Sequence, residues 1–259
     1  MSTERENKMK GIDLNCDMGE LKPGQERNYD AEIMPFISSC NIACGFHSGS
    51  PALMTTTIRL ALAQGVAIGA HPSYKDRPNF GRVSLNPPPE TLKSEIIEQI
   101  TLLKSFVEAE GGRLHHVKPH GALYNDLAHD PVRAKAFAEA VRGVDPSLKV
   151  YVLAGTPAAD IFLHHGLQPV HEGFADRAYA RPDQLQSRRE PGAVLHDFAA
   201  IRHQIDGFLQ GQIRTVSDEI DALTVESLCL HSDTPGAVEL GRAIHAHLHQ
   251  RHVRIAPIR

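Results

Sequence analysis

Two stretches of sequence decide the predicted fold: GIDLNCDMGE at residues 11–20 and HHVKPHGALYN at residues 115–125. In each stretch, a short apolar run of strand type ends in acidic, basic or amide side chains. Outward from these two stretches, similar runs alternate with longer helical patterns. The predicted strands are residues 11–16, 37–44, 66–70, 115–118, 149–154, 168–174, 193–196 and 227–230. This alternation predicts parallel strands with right-handed crossovers, and about seven or eight such units close a β/α barrel.

Helix signals between the strands support this alternation. Residues 89–110 carry apolar side chains at close to 3.6-residue spacing, and the pattern stops at Gly111 and Gly112. Other helices are predicted to begin where a side chain that can cap the helix precedes a proline. The predicted caps are Ser50, Asp130, Thr156 and Thr234.

Composition narrows the class of protein. The chain has 41% hydrophobic and 22% charged residues and a formal net charge of −4, so nucleic acid and membranes are not expected partners. The four cysteines form no C-x-x-C pair, and residues 1–10 are polar with no apolar signal segment. We expect one cytoplasmic α/β domain over residues 1–259, with residues 1–10 as a polar N-terminal extension. A homo-oligomer is compatible with these features.

Polar side chains follow most of the predicted strands at the point where each strand ends. They are Asn15, Asp17, Glu20, Asn41, His47, His71, Asp76, Lys118, His120, Asp176, Arg177, Tyr179, His231 and Asp233. Because the carboxyl ends of parallel strands meet on one face, we expect a shared active site there. Structural interpretations stay open: Asp17 and Glu20 can be turn formers, and Lys118 can be a surface residue. Asp13, inside the first strand, must be paired or bind a metal if it is buried.

Several familiar motifs are missing from the sequence. It contains no G-x-x-x-x-G-K-[ST], G-x-G-x-x-G, H-E-x-x-H or G-x-S-x-G. Phosphate-loop, dinucleotide-fold, zinc-protease and serine-hydrolase assignments therefore lose their usual support. If the chain binds a nucleotide such as ATP, it does so without a phosphate-binding loop of the usual sequence.

Five ordered segments resemble the LamB/YcsF family, which includes the A subunit of bacterial ATP-dependent 5-oxoprolinase. They are DLNCDMGE (13–20), NIACGFH (41–47), IGAHPSY (68–74), HVKPHGALYN (116–125) and FADRAY (174–179). The resemblance implies an irregular seven-stranded β/α barrel of the glycoside hydrolase/deacetylase superfamily. It also implies hydrolysis of 5-oxo-L-proline (pyroglutamate) to L-glutamate with ATP as co-substrate, in a complex with subunits B and C.

Roles for the matching residues follow from this resemblance. Asp17, Lys118 and His120 are the expected catalytic residues, with Lys118 supplying charge and Asp17 or His120 acting on water. The expected substrate-binding or ATP-binding residues are Asn15, Asn41, His47, His71, Arg82, Tyr124, Asp176, Arg177, His231 and Asp233. The helix that follows His47 could bind the substrate carboxylate at its N-terminus. Asp17, His47 and His120 are the expected ligands if a divalent metal is present.

Two other functions stay open. A metal-dependent amidohydrolase or carbohydrate deacetylase would use Asp17, His47 and His120 to activate water, without ATP. A non-catalytic partner of a carboxyltransferase-like complex is the other alternative. Its support is that Ser48 and Ser50 stand where the family usually has Ala and Asp, which removes a carboxylate.

Overall fold

The computed structural model describes residues 11–22, 24–25, 27–232 and 236–259. The predicted N-terminal extension at residues 1–10 lies outside these ranges. So do the predicted site residue Asp233 and the predicted cap Thr234.

Strands and helices alternate along most of the chain. The strands are β1 (Gly11–Met18), β2 (Ser39–Ala43), β3 (Ala67–His71), β4 (Leu114–Val117), β5 (Lys149–Leu153), β6 (Gln168–Phe174), β7 (Tyr179–Arg181), β8 (Gln184–Leu185), β9 (Gln212–Arg214), β10 (Ile220–Ala222), β11 (Ser227–His231) and β12 (Arg254–Ile255). The α-helices are α1 (Asp30–Ile33), α2 (Pro51–Gln64), α3 (Pro89–Ala109), α4 (Gly121–His129), α5 (Pro131–Val144), α6 (Ala158–His164), α7 (Phe198–Leu209) and α8 (Ala237–Gln250). Short 3-10 helices occupy Met34–Phe36 and Arg77–Asn79.

Seven parallel strands form a closed barrel, which confirms the predicted fold class. They follow the order β1, β2, β3, β4, β5, β6, β11, and β11 pairs back onto β1. Across this closure, Asp17 lies opposite His231, and on the other side of β1 it lies opposite Asn41. The short β12 pairs with the beginning of β1, and β7–β8 and β9–β10 are separate two-stranded ribbons. The carboxyl ends of the barrel strands therefore meet on one face.

The helices form where their sequence signals predict them, with one exception. Ser50 and Asp130 accept hydrogen bonds from backbone N–H groups in the first turns of α2 and α5. α3 buries the face that runs from Leu92 to Val107. Thr156 does not cap α6: the helix begins at Ala158 and Pro157 occupies the cap position, so the hydroxyl of Thr156 lies one residue too early and donates to the carbonyl of Leu153 at 2.7 Å.

The predicted strand at residues 193–196 was wrong. Only Val194 makes a β-bridge there, with Arg177, and the segment lies in the loop before α7. Three apolar residues in a row suggest a strand equally well whether or not a neighbouring strand exists, so the local pattern was insufficient.

The barrel interior holds a buried carboxylate that hydroxyl groups satisfy. Asp13 is fully buried and accepts hydrogen bonds from Ser38 (2.7 Å), Ser39 (2.6 Å), Tyr151 (2.7 Å) and Ser227 (2.5 Å). These bonds replace the water that burial removes. Asp13 is therefore paired, one of the two outcomes that its sequence position allowed. Within the described ranges, we find no helix long and apolar enough to cross a membrane.

Candidate active site

A cavity of about 460 Å³ opens where the barrel strands end. Its walls come from the loops after β1, β3, β4 and β11, from α4 and from the segment that contains β8. Polar residues on these walls include Asp17, Glu20, His71, Arg82, Lys118, His120, Tyr124, Arg177, Arg188 and His231. The site that the strand-end pattern predicted is therefore assembled at the expected face of the barrel.

Lys118 carries a buried ammonium group at the floor of this cavity. Its Nζ atom lies 2.9 Å from Glu172 Oε1, 3.0 Å from Asp17 Oδ1 and 3.0 Å from Cys229 Sγ. It also donates to Asn15 Oδ1, at 3.1 Å. Burial lowers the pKa of Lys118, but the charges of these partners outweigh it and hold the pKa well above its usual range. Lys118 is therefore a fixed positive charge and not a surface lysine.

Asp17 is held as an anion by the groups around it. It receives hydrogen bonds from Lys118 and from Asn41 Nδ2, the latter at 2.9 Å, and its Oδ2 lies 3.3 Å from His71 Nε2. Burial raises the pKa of Asp17, but the positive charges of His71 and Lys118 lower it well below its usual range. An ionised carboxylate with a low pKa can orient water but is a weak base.

His71 is fixed between the backbone and the carboxylates. Its Nδ1 donates to the carbonyl of Lys118 at 2.7 Å, which leaves Nε2 facing Asp17 and Glu20. Burial lowers the pKa of His71, and the negative charge of Asp17 more than restores it, so the pKa is raised overall. The raised pKa favours the protonated form of His71, in which Nε2 donates toward the carboxylates.

His47 and His120 lie face to face beside it. Their ring centroids are 3.7 Å apart and the rings are inclined by 4°. Burial is the main cause that lowers the pKa of both histidines well below the usual range. The second cause is the neighbouring His71 for His47, and His47 itself for His120. Gly81 makes room for this stack: its φ is +64°, and a Cβ there would lie 2.9 Å from His120 Cδ2 and 3.0 Å from His47 Cβ. Both rings are therefore neutral, and the site requires glycine at position 81.

Glu20 joins the three histidines in one cluster. Its Oε1 lies 2.8 Å from His47 Nε2, 3.4 Å from His120 Nδ1 and 3.8 Å from His71 Nε2. One ligand atom from each of the four side chains falls within 4.8 Å of the others, a donor set that could hold a metal ion. We call these four residues the Glu20 cluster.

A second group, Asp17, Cys229 and His231, also lies within 4.8 Å. Lys118 Nζ is already 3.0 Å from both Asp17 Oδ1 and Cys229 Sγ, so a built-in cation fills that place. The second group is therefore the weaker candidate for a metal.

Arginines and a histidine form the outer wall of the cavity. Arg177 Nε and Nη2 donate to the carbonyls of Ala193 and Gln186, at 3.1 and 2.7 Å, and this fixes the segment between them. Burial and the nearby Arg188 lower the pKa of Arg177 to about 10, so it remains a cation at neutral pH. Arg188 Nη2 approaches His231 Nε2 at 3.3 Å, and His231 Nδ1 donates to the carboxylate of Asp176 at 2.9 Å.

The predicted site residues fall into two layers. On the cavity wall are Asp17, His71, Arg82, Lys118, His120, Tyr124, Arg177 and His231. Buried behind that wall are Asn15, Asn41, His47 and Asp176. Asn15 contacts Lys118, Asn41 contacts Asp17, and Asp176 contacts His231. His47 contacts Glu20 on the wall and Ser73 behind it. The helix N-terminus on the cavity wall is that of α4 and not that of α2, whose cap Ser50 is exposed and does not line the cavity. The carboxylate lost at position 50 is therefore not one that the cavity wall would need.

Three residues of the site were absent from the prediction: Glu172, Arg188 and Cys229. Glu20 was among the predicted strand-end residues but was given no specific role. Glu172 sits inside the apolar strand β6, just as Asp13 sits inside β1, so the rule for buried carboxylates could have found it. Arg188 lies in a loop with no strand-end signal, and only the fold brings it to the cavity.

Comparison with known proteins fits this architecture. The family model for the LamB/YcsF family matches residues 12–259. The chain belongs to the LamB/YcsF family. It is 40% identical over 250 residues to a Pseudomonas syringae pv. tomato protein that is named as a 5-oxoprolinase A subunit, covering 96% of this chain and 98% of the relative. A Symbiobacterium thermophilum protein with the same subunit name is 44% identical over 238 residues, covering 92% of this chain and 91% of the relative. The crystal structure of the lactam utilization protein from Thermus thermophilus superposes with a TM-score of 0.89 at 39% identity, over 96% of this chain and all of that one.

Proposed function

We propose that this chain is the A subunit of a 5-oxoprolinase that hydrolyses 5-oxo-L-proline to L-glutamate with ATP. One observation carries the proposal: relatives that bear this subunit name match the chain at 40–44% identity over more than nine-tenths of its length. The cavity, with its charged floor and arginine-bearing outer wall, is chemically suited to a small anionic lactam.

The reaction explains why a cation is needed at the cavity floor. A lactam is a poor electrophile, so we propose that its oxygen first takes the γ-phosphoryl group of ATP, releasing ADP. Water then attacks the activated carbon, and the ring C–N bond breaks with protonation of nitrogen, which leaves an acyl phosphate on the side-chain carboxyl of glutamate. A second water hydrolyses this acyl phosphate to glutamate and phosphate. Negative charge develops on the lactam oxygen and on the transferred phosphoryl group, and a fixed ammonium in a water-poor site stabilises it. Lys118 supplies that charge.

Other residues of the chain take supporting roles in this proposal. Asp17, an anion on the cavity wall, accepts a hydrogen bond from the attacking water and orients it, since His120 Nδ1 is already occupied by His71 Nε2 at 3.0 Å. The phenol of Tyr124 stays protonated, because burial and the nearby Glu172 raise its pKa well above the usual range. Its buried hydroxyl can donate to Glu172, one of the carboxylates that hold Lys118.

The outer wall is proposed to bind the anionic groups. Arg82, Arg177 and Arg188 line the cavity and match the charge of a substrate carboxylate and of ATP phosphates. Partner subunits B and C, similar to the two halves of an allophanate-hydrolase-like carboxyltransferase pair, complete the proposed enzyme. A cytoplasmic location is in keeping with four cysteines that are all buried and free.

Reconstitution tests this function. The purified chain is mixed with its B and C partners, ATP and 5-oxo-L-proline, and glutamate and phosphate are measured with each component omitted in turn. We expect glutamate only from the full mixture. Lys118→Met should abolish it, whereas Lys135→Met, at a lysine whose side chain is 64% exposed, should not. Stable complex formation without turnover by the wild-type mixture would point instead to a non-catalytic partner.

A metal-dependent amide hydrolase is the second candidate, and the Glu20 cluster favours it. Three imidazoles and a carboxylate facing a cavity could activate water for attack on an amide or an N-acetyl group. Such an enzyme would hydrolyse its substrate without ATP and would lose activity on treatment with a chelator. The same mixtures, assayed with ATP omitted and with chelator added, distinguish it from the first proposal.

A further inference from the structure

We propose that Glu20, His47, His71 and His120 bind one divalent transition-metal ion, with zinc as the best match. The sequence-based set had Asp17 in place of Glu20 and His71. This site does not depend on the identity of the substrate, so it can be tested whether or not the chain hydrolyses 5-oxoproline.

The outward-facing nitrogen of each histidine is fixed by the protein. His47 Nδ1 lies 2.9 Å from Ser73 Oγ, which can accept its proton because that hydroxyl donates to the carbonyl of Tyr74 at 2.9 Å. His71 Nδ1 donates to the carbonyl of Lys118 at 2.7 Å, and His120 Nε2 donates to the carbonyl of Phe80 at 2.9 Å. Metal-binding histidines are held in this way in proteins, with the non-coordinating nitrogen donating to an oxygen. Such bonds select the tautomer that turns the other nitrogen inward.

The inward-facing atoms have the spacing that a metal ion requires. Glu20 Oε1 lies 2.8, 3.4 and 3.8 Å from the inner nitrogens of His47, His120 and His71, and those of His71 and His120 are 3.0 Å apart. Ligands about 2.0–2.1 Å from a tetrahedral zinc ion lie about 3.3 Å from one another. The four distances bracket that value. Small side-chain adjustments would therefore complete the coordination.

The contact between Glu20 and His47 brings two candidate ligand atoms together. His47 Nε2 lies 2.8 Å from Glu20 Oε1, a hydrogen-bond distance when Nε2 carries the proton. A metal ion coordinated by both atoms would take the place of that proton. Binding would also require the Nε2 proton of His71 to leave.

Asp17 does not belong to this ligand set. Its Oδ1 is already engaged by Lys118 and Asn41, at 3.0 and 2.9 Å. Its Oδ2 lies 3.3 Å from His71 Nε2 and so borders the cluster from outside. The ligand set is therefore three nitrogens and one oxygen, which suits zinc, cobalt, nickel or iron. It does not suit magnesium, which prefers oxygen ligands.

The cluster can be reached from the cavity. Glu20, His71 and His120 all lie on its wall, whereas His47 is buried behind them. A metal held here would supply a Lewis acid at the place where the substrate sits.

Metal binding by the full-length chain tests the proposal directly. The chain is stripped with a chelator, dialysed and titrated with Zn²⁺ by calorimetry, and Co²⁺ is added to a second sample to record the visible absorption of a tetrahedral complex. We expect one site per chain. Glu20→Gln and His47→Gln should weaken binding more than about 100-fold, because even the outer partners of metal ligands are worth about 10–100-fold.

A matched control addresses adventitious binding. His249 lies exposed on α8 near His245, and His249→Gln should leave the site unchanged. Ser73→Ala removes only the outer partner of His47 and should weaken binding about 10–100-fold while the far-ultraviolet circular dichroism stays that of the wild type. This variant keeps the test valid if the ligand variants fold poorly.

The opposite results would overturn the proposal. No Zn²⁺ or Co²⁺ binding by the wild type would mean that protons alone hold the cluster together. Binding lost in His249→Gln but kept in Glu20→Gln would place the metal on α8.

Discussion

Replacing Lys118 by methionine should destabilise the protein as well as inactivate it. Methionine fills a similar volume but leaves Asp17 and Glu172 without the ammonium that lies 3.0 and 2.9 Å from them. Both carboxylates are buried, so water cannot replace the lost charge. Removing one partner of a buried ion pair costs about 3–5 kcal/mol of unfolding free energy.

That loss is large enough to measure by thermal unfolding. In a chain of this size each kcal/mol corresponds to about 2–4 °C in Tm, so Lys118→Met should melt about 6–20 °C below the wild type. The missing charge also raises the pKa of Asp17 in the folded variant, because Lys118 helps to hold that pKa low in the wild type. Because a raised carboxyl pKa favours the folded state at low pH, the gap between variant and wild type should narrow as the pH falls.

A double variant separates stability from catalysis. Glu172→Gln keeps an oxygen for the hydrogen bond from Asn15 Nδ2 but removes one of the uncompensated charges. Lys118→Met/Glu172→Gln should therefore unfold at a higher temperature than Lys118→Met, yet it should still lose about 100-fold or more in kcat, the usual cost of removing a group that stabilises charge in the transition state. The reasoning fails if Lys118→Met melts with the wild type, or if Glu172→Gln lowers stability equally in both backgrounds.

Three further predictions concern single residues. Burial raises the pKa of Asp30 from 3.8 to about 6, so the protonated form favours folding and about 3 kcal/mol is lost as the pH rises from 4 to above 6. Asp30→Asn should remove most of this loss in urea unfolding compared at pH 4 and pH 7, and an unchanged pH slope would contradict the assignment. Gly81→Ala should cost about 1–3 kcal/mol and weaken Zn²⁺ binding, because its Cβ would strike both stacked imidazoles, while Gly143→Ala in α5, with open space around it, should leave metal binding unchanged. Arg188→Gln should raise the KM for an anionic substrate about 10–100-fold with little change in kcat, and a fall in kcat at constant KM in steady-state assays would refute its binding role.

Much of the fold could be predicted from the sequence because the deciding signals are local. The seven strands of the barrel all coincide with apolar runs predicted between helix signals. Residues 193–196 could not be judged in the same way, since an apolar run becomes a strand only where a neighbour offers its backbone. Thr156 failed as a cap because α6 begins one residue later than the Thr-Pro pair predicted.

The site was predictable only in part. Asp17, Lys118 and His120 stand directly after strands, so parallel topology alone brings them together. The partners of Lys118 depend instead on barrel closure: Glu172 and Cys229 come from β6 and β11, and only the register of these strands sets their distance from the ammonium. The tautomers of the histidines depend on carbonyls and a hydroxyl in loops. No spacing in the sequence encodes those contacts.

The pairing of β1 with β11 has a consequence for synthesis of the protein on the ribosome. Residues 227–231, the second neighbour of residues 11–18 in the sheet, are synthesised long after them. Until then β1 lacks this partner, and Lys118 lacks Cys229. A nascent chain that stops before β11 therefore contains most side chains of the candidate site without the closed barrel that brings them together.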